Sequence, residues 1–230
     1  NKNLSCFFVE SILGCGGNII LPKNYLKEIF KVVRNNNALC IIDEVQTGFA
    51  RVGNNYWAFE EHGVIPDIVT LGKPMGNGHP LAGVVARSDL VDEFGEWGLY
   101  FNTFAGNPVS CAVGMAVLDV LEEEQLLDNA VQVGNLMADG LRELQGRYDI
   151  IGDVRHKGLF FALELVDDRS TKSPATDAAK RLVNGMCERG VLISRVGRFD
   201  NILKLRPPMP FSRDNAKLLV STLDDSLMAL

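Results

Sequence analysis

No apolar run in this sequence approaches the ~18 residues needed to span a bilayer, so it offers no helical membrane segment. No stretch clusters Lys and Arg, and 23 basic against 29 acidic residues leave a net charge of −6. A mildly acidic balance of that kind grips nucleic acid or an anionic membrane poorly. Cysteine is sparse: Cys6, Cys15, Cys40, Cys111 and Cys187 make an odd total with no C-x-x-C pair. That argues against a disulfide framework or a zinc site, assigns no metal ligands, and predicts a reducing, cytoplasmic-type protein. Low-complexity tracts and internal repeats are missing too. With 22 Gly and 9 Pro in 230 residues, collagen and Pro/Gly-rich disorder are excluded. The polar opening, Asn1 to Leu4, does not read as a signal peptide. There is no initiator Met, and a strand-like run begins almost at once, as if the chain were cut from something longer. What is present is a hydrophobic share of 47%, enough in a chain of this length for one large or two small buried cores.

Leu4–Val9 (L-S-C-F-F-V) reads as a short buried strand ended by Glu10 and followed by a Gly-rich turn, Gly14 to Gly17. Pro22–Asn35 has helical spacing, with Tyr25, Leu26, Ile29, Val32 and Val33 on one side. Ala38–Ile42 is a continuous apolar run that stops at Asp43-Glu44, and Asp67–Leu71 is another that stops at Gly72-Lys73. Strands this apolar, separated by a helix, predict an α/β fold with a mostly parallel sheet covered on both faces. Asn107–Glu123 and Gln125–Arg147 read as two long helices. After Arg147 the texture becomes α+β. Strands are predicted at Ile150–Val154, Leu159–Val166, Val191–Arg195 and Ile202–Leu205, and helices at Ala175–Arg189 and Ser212–Leu227, the last capped by Ser212. The expected division is therefore 1–150 and 151–230.

Open α/β sheets bind ligands beyond the carboxyl ends of their strands. Three apolar strands here end in polar groups: Glu10, Asp43 with Glu44, and Lys73. Any one is an ordinary solvated strand end, but a sheet delivers all three to one edge. An acid and a lysine at that edge suit cofactor chemistry in which the amine forms a Schiff base. A carboxylate opposite a pyridine nitrogen keeps that nitrogen protonated, and a lysine amine gives up its proton readily once desolvated.

The literal motifs go further. I-I-D-E-V-Q-T-G-F-A-R-V-G (Ile41 to Gly53), P-D-I-V-T-L-G-K (Pro66 to Lys73), the following P-M-G-N-G-H-P, and Y-F-N-T-F-A-G-N-P-V-S-C-A (Tyr100 to Ala112) fall in one order and spacing. Together they resemble the class III pyridoxal-phosphate aminotransferases, over essentially the whole chain. The resemblance implies a fold-type I transferase: the C-terminal part of the large, cofactor-binding domain in 1–150 and a small C-terminal α+β domain in 151–230. It implies pyridoxal 5'-phosphate as cofactor, primary amines or ω-amino acids and 2-oxo acids as substrates, and a homodimer with active sites at the interface. Lys73 would form the internal aldimine and serve as general base. Asp43 would pair with the pyridinium nitrogen, Val45 pack on a ring face, and Gln46 lie near the ring hydroxyl. Thr103 would hydrogen-bond the cofactor phosphate across the dimer interface, and Glu10 corresponds to an acid whose role varies. His79, in its Gly/Pro turn, reads as structural or solvated, Arg51 as loop or dimer packing, and Trp57 and Phe59 as core aromatics.

Two positions depart from the family pattern. Glu10 to Gly17 runs E-S-I-L-G-C-G-G, with Cys15 where a second Glu often stands, and L-K-L-R-P-P (Leu203 to Pro208) aligns Lys204 with an Arg that binds substrate carboxylate. A lysine offers a point charge where arginine offers a bidentate fork, so an α-carboxylate would be held differently, if at all. These changes resemble a subgroup containing ethanolamine-phosphate and phosphohydroxylysine phospho-lyases, together with relatives named aminotransferases. The expected activity is transamination through a Lys73 aldimine. The alternative is elimination of phosphate from a phosphorylated amino alcohol such as phosphoethanolamine. A third reading takes the chain as a truncated fragment, inactive without its N-terminal half, because the family's phosphate-binding Gly-Ser/Thr loop and ring-stacking aromatic lie upstream of the residues seen here.

Overall fold

The computed structural model describes residues 4–230. Strand β1 (Cys6–Glu10) is followed by the short pair β2 (Ile12–Leu13) and β3 (Ile19–Ile20), then α1 (Tyr25–Asn35), β4 (Leu39–Asp43), β5 (Ile68–Leu71) and β6 (Gly83–Ala86). Helices α2 (Ser88–Trp97), α3 (Pro108–Glu123) and α4 (Leu126–Arg147) come next, then β7 (Ile151–Lys157), β8 (Phe160–Asp168), β9 (Ser173–Pro174) and α5 (Thr176–Glu188). The chain closes with β10 (Ser194–Val196), β11 (Ile202–Leu205) and α6 (Arg213–Met228). Packing divides it into two compact units. The first holds Asn1–Ser11, Leu21–Ala50 and Asn55–Gln125, and the second Ile12–Ile20, Arg51–Asn54 and Leu126–Leu230.

In the first unit the sheet order is β1-β4-β5-β6. β1, β4 and β5 run parallel and β6 is antiparallel to β5. Helix α1 buries Leu26, Phe30 and Val33, one stripe at helical spacing, against Cys40 and Ile42 on one face of β4. Each such side chain contributes about 1.5–3 kcal/mol on burial. The ladder is pinned at its other end by buried Asp67, which accepts from Cys40 N at 2.8 Å and from Arg87 Nη1 at 2.7 Å. Burial alone would raise that carboxyl's pKa, but the Cys40 amide and the Arg87 and Arg34 guanidiniums outweigh it and hold it low.

Coverage on both sheet faces was expected, and among the described residues only the α1 face is sealed. On the other face Cys6 and Phe8 are exposed and Leu39, Ile41 and Ile68 half-buried. A continuous apolar run signals strand burial, but it does not say which part of the chain covers each face.

The second unit is an antiparallel sheet, β10-β11-β8-β7 with β9 on the edge of β8. Phe161, Leu163, Leu165, Leu203 and Leu205 alternate onto one face and form a single core with α4, α5 and α6. Here the structure departs from the expected division at 150. Helix α4 buries Ala130, Val133, Met137, Ala138, Leu141 and Leu144 against this core, so the break falls at Gln125/Leu126. The strand predicted at Val191–Arg195 pairs only over Ser194–Val196, the register it shares with Ile202–Lys204. Ser212 caps α6 as expected, its hydroxyl accepting from Asn215 N at 3.1 Å. Among the described residues no helix is long and apolar enough to cross a membrane.

Candidate functional site

The parallel register of the first unit aligns Glu10 with Asp43 and Asp43 with Thr70. Parallel partners side by side share a sheet face, so the three side chains form a row at the carboxyl edge, on the face away from α1, with strands about 4.8 Å apart. Asp43 is half-buried, and its Oδ1 accepts from Val45 N at 2.8 Å. The Thr70 hydroxyl oxygen is buried with no hydrogen-bond partner among the described residues. A buried hydroxyl left without a partner is costly and marks a place worth explaining.

Beyond β4 the chain turns through Glu44 to Thr47. The sequence presented Asp43 and Glu44 as one pair of strand-end acids, and the structure separates them. Glu44 is fully buried. It accepts from Ser11 Oγ (3.1 Å), Thr47 Oγ1 (2.7 Å) and Phe59 N (2.9 Å), while its own amide donates to Thr70 O (3.0 Å). Burial pushes its carboxyl upward against those hydrogen bonds, and the net shift is up. Glu44 thus holds the loop that presents Val45 and Gln46. Gln46 Nε2 donates to Glu10 Oε2 at 3.3 Å. Val45 lies beside Gly72: its methyl carbons are 3.5 and 3.6 Å from where a Cβ on Gly72 would stand.

Lys73 follows that glycine as the first residue of a short 3-10 turn, Lys73–Gly76, after β5. Its side chain is exposed, and its backbone is left-handed, φ 37°. Non-glycine residues in that region cost of order 1–3 kcal/mol and gather at functional sites. Glu10, Asp43, Val45, Gln46 and the Lys73 turn therefore meet at one sheet edge.

Two predicted residues stand elsewhere. Thr103 sits in an exposed turn of the same unit, between Phe101 and Gly106. Lys204 belongs to the second unit, nearly buried in the middle of β11, flanked by Ser194 and Ala162. Arg51 is also in the second unit, where it donates to Pro207 O and Leu159 O. Burial, with Arg206 nearby, lowers its pKa to about 10. Trp57 packs edge-on against Phe49, centroids 5.1 Å apart. Sequence reasoning missed Thr70 and the supporting role of Glu44. The spacing of Glu44 and Thr47, three apart in D-E-V-Q-T, was the available signal.

Residues 1–227 match the family model described as "Aminotransferase class-III". The chain is 46% identical over 217 residues to an alanine–glyoxylate aminotransferase 2-like protein of Drosophila melanogaster, covering 94% of this chain and 44% of the relative. Among solved structures it resembles an Arthrobacter phospholyase in complex with phosphoethanolamine, with TM-score 0.95, 43% identity, and coverage of 99% of this chain and 54% of that one. It also resembles an amine transaminase from an uncultivated Pseudomonas species in its PLP-bound form, with TM-score 0.89, 34% identity and coverage of 97% and 52%. The chain spans about half the length of the curated relatives it matches.

Proposed function

The chain belongs to the class III aminotransferases, and from that premise we propose that the protein moves an amino group from a primary amine or ω-amino acid to a 2-oxo acid, with Lys73 as its reactive amine. The family is pyridoxal-phosphate dependent. The observation that carries the reading is the placement of Lys73, exposed on left-handed backbone, one turn beyond the strand whose Thr70 is in register with Asp43. The donor set fits the cofactor. An aldehyde needs an accessible primary amine, a pyridine nitrogen needs a carboxylate, and a flat ring needs an apolar wall. Lys73, Asp43 and Val45 are those three groups at one edge, with the unpartnered Thr70 hydroxyl between the first two in sequence.

Bound pyridoxal phosphate supplies a carbonyl carbon for amines and a protonated ring that draws electrons from the adjacent carbon. Asp43, its carboxylate oriented by Val45 N, would keep a proton on the ring nitrogen. Val45 would bear on a ring face, and Gln46, tethered by Glu10, would serve the ring hydroxyl. Thr103 would contribute its hydroxyl to the phosphate, and Lys204 would offer a point charge to an anionic group of the substrate. Lys73 Nζ would hold the cofactor at rest and, when a substrate amine takes its place, would serve as the general base that moves the proton of the substrate carbon.

A second reading keeps the same first half. If the substrate carries phosphate on the neighbouring carbon, loss of the proton to Lys73 expels phosphate instead. The 43% identity to a phospholyase that binds phosphoethanolamine favours it, together with Cys15 and Lys204 at the departing positions. We propose a homodimer on the strength of an exposed apolar surface: Trp97, Leu99, Tyr100, Phe101 and Phe104 are between 64% and 98% exposed. Patches of that kind mark protein interfaces. The free cysteines fit a reducing compartment such as the cytoplasm. The first unit, Asn1–Ser11 with Leu21–Ala50 and Asn55–Gln125, fits part of a cofactor-binding large domain, and the second fits a small domain.

The test is full-length protein incubated with phosphoethanolamine, with and without pyruvate, measuring inorganic phosphate and alanine. Alanine formed from an amine donor and pyruvate, with no phosphate release, supports transamination. Sustained phosphate release without a 2-oxo acid selects the lyase reading. Either activity surviving Lys73→Ala would sink both.

A further inference from the structure

The turn that carries Lys73 is fastened by contacts that the scheme above does not use. From Gly72 the chain passes through three successive hydrogen-bonded turns: Met75 N to Gly72 O (3.0 Å), Asn77 N to Pro74 O (3.0 Å) and His79 N to Gly76 O (2.9 Å). Asn77, like Lys73, has a left-handed backbone, φ 44°. Such a backbone persists only where its surroundings over-determine it. Helix α3 supplies the surroundings. Ser110 and Gly114 are four residues apart and so lie on one side of that helix. A Cβ on Gly114 would stand 2.9 Å from Leu81 Cδ2 and 3.9 Å from Met75 O, so its absence lets the turn seat directly on the helix. One helical turn earlier, Ser110 Oγ lies 2.7 Å from His79 Nε2.

Ser110 is itself held in place by the cap of α3. Asn107 caps α3 by accepting on Oδ1 from Ser110 N at 2.9 Å. That fixes the amide's orientation, so Nδ2 donates to Phe104 O (2.8 Å) and to Ser110 Oγ (2.9 Å). The Ser110 hydroxyl, accepting from Asn107, keeps one proton and one acceptor site, so it pairs with His79 Nε2 in either imidazole tautomer.

We propose that His79 is a positioning residue for the reactive lysine. The bond from Ser110 to His79 locks the Lys73 turn against α3 and aims the Lys73 amine. Through the Asn107 cap and Phe104 O it also ties that turn to the loop that holds Thr103. His79 does not touch the reacting atoms. The inference rests on the reading of Lys73 as the cofactor-bearing amine.

The experiment uses full-length protein with His79→Leu, His79→Gln, Ser110→Ala and the Leu/Ala double variant. Two readouts are taken: the rate at which cofactor-free protein takes up pyridoxal phosphate on Lys73, trapped with borohydride and quantified by mass spectrometry, and kcat and KM in the assays above. A third is nitrogen NMR of 15N-histidine-labelled wild type and Ser110→Ala, with the His79 signals identified by their loss in His79→Gln. His79→Leu and Ser110→Ala are each expected to slow uptake and lower kcat by about tenfold to a hundredfold, the range that misplacement by about an ångström produces, with KM little changed. The double variant should be no worse than the worse single, because both remove one bond. His79→Gln, whose Oε1 can accept from Ser110, should recover most of the loss. NMR should show the His79 Nε2 signal moving in Ser110→Ala. Unchanged uptake and kcat in His79→Leu, multiplicative losses in the double variant, or a His79 Nε2 signal that does not move in Ser110→Ala would each overturn the proposal. If His79→Leu does not fold, the Ser110→Ala, His79→Gln and NMR arms still decide it. Retention of the trapped adduct in Lys73→Ala would instead overturn the reading of Lys73 and leave the Ser110–His79 bond as an NMR observation.

Discussion

At the scale of single residues, Asp43 and Glu44 show how far adjacent acids can diverge. Their spacing in the sequence marks a strand end, and strand alternation sends one side chain to the ligand edge and the other inward. Which one is saturated follows from Ser11, Thr47 and Phe59, the last fifteen residues away, so it is legible only once the chain is folded. Glu44→Gln should therefore destabilise the protein by about 1–3 kcal/mol, because an amide NH2 would face donors where a carboxylate oxygen accepted. The pH dependence adds a sign. Burial raises the Glu44 pKa, so between the ordinary glutamate value and the raised one the folded state binds more protons than the unfolded state. Stability from this group is full below that window and declines as pH rises through it. Glutamine does not titrate. Urea unfolding of both proteins from about pH 4.5 to about pH 8 should show the wild-type advantage shrinking as pH rises. An advantage that grows with pH would contradict the burial argument.

At the scale of elements, periodicity carried most of the fold. Strands β1, β4, β5, β7, β8 and β11 and the helices α1, α3, α4, α5 and α6 stand within a few residues of their expected ranges, because short continuous apolar runs mark buried strands and longer amphipathic or apolar stretches mark helices. Helix α2 was missed although Leu90, Val91, Phe94 and Trp97 fall at helical spacing; the segment is only ten residues long and buries none of them. β6 was missed because G-V-V-A is short and follows a Gly/Pro turn, and its Val84 and Val85 remain exposed. The misplaced boundary at 150 has a different origin. Helix α4 was assigned by sequence order, but its stripe fits the second unit's core, and one contact sets how closely it packs. Gly134 faces Gly158: a Cβ on Gly134 would stand 2.3 Å from Gly158 O and 2.8 Å from its carbonyl carbon. Backbone cannot yield as a flexible side chain does. Gly134→Ala should cost about 1–3 kcal/mol or more by overpacking, despite alanine's better helix propensity. Denaturant unfolding is the measurement, and a variant as stable as wild type would show that α4 can shift away without loss.

For the molecule as a whole, the question is how much cofactor affinity resides in residues 1–230. Lys73, Asp43 and Val45, proposed as covalent partner, nitrogen partner and ring wall, are all in the first unit. A phosphate group, however, needs several convergent donors, and Thr103 in its exposed turn would supply one hydroxyl. The chain also spans only about half the length of its curated relatives. On the unsealed sheet face Phe8 is 56% exposed, and the segment from Trp97 to Phe104 projects five large apolar side chains into solvent. Surface of that extent favours association over a preorganised site. The 1–230 chain alone is therefore expected to bind pyridoxal phosphate weakly and to self-associate, while the full-length protein binds it tightly. Absorbance titration at micromolar cofactor should give a stoichiometric visible band with full-length protein and only a small fraction of it with the 1–230 chain. Sedimentation of the shorter chain should show concentration-dependent species, reduced by Phe101→Ser together with Phe104→Ser. A stoichiometric band in the 1–230 chain that Lys73→Ala abolishes would overturn this expectation, placing the whole affinity in Lys73, Asp43 and their neighbours.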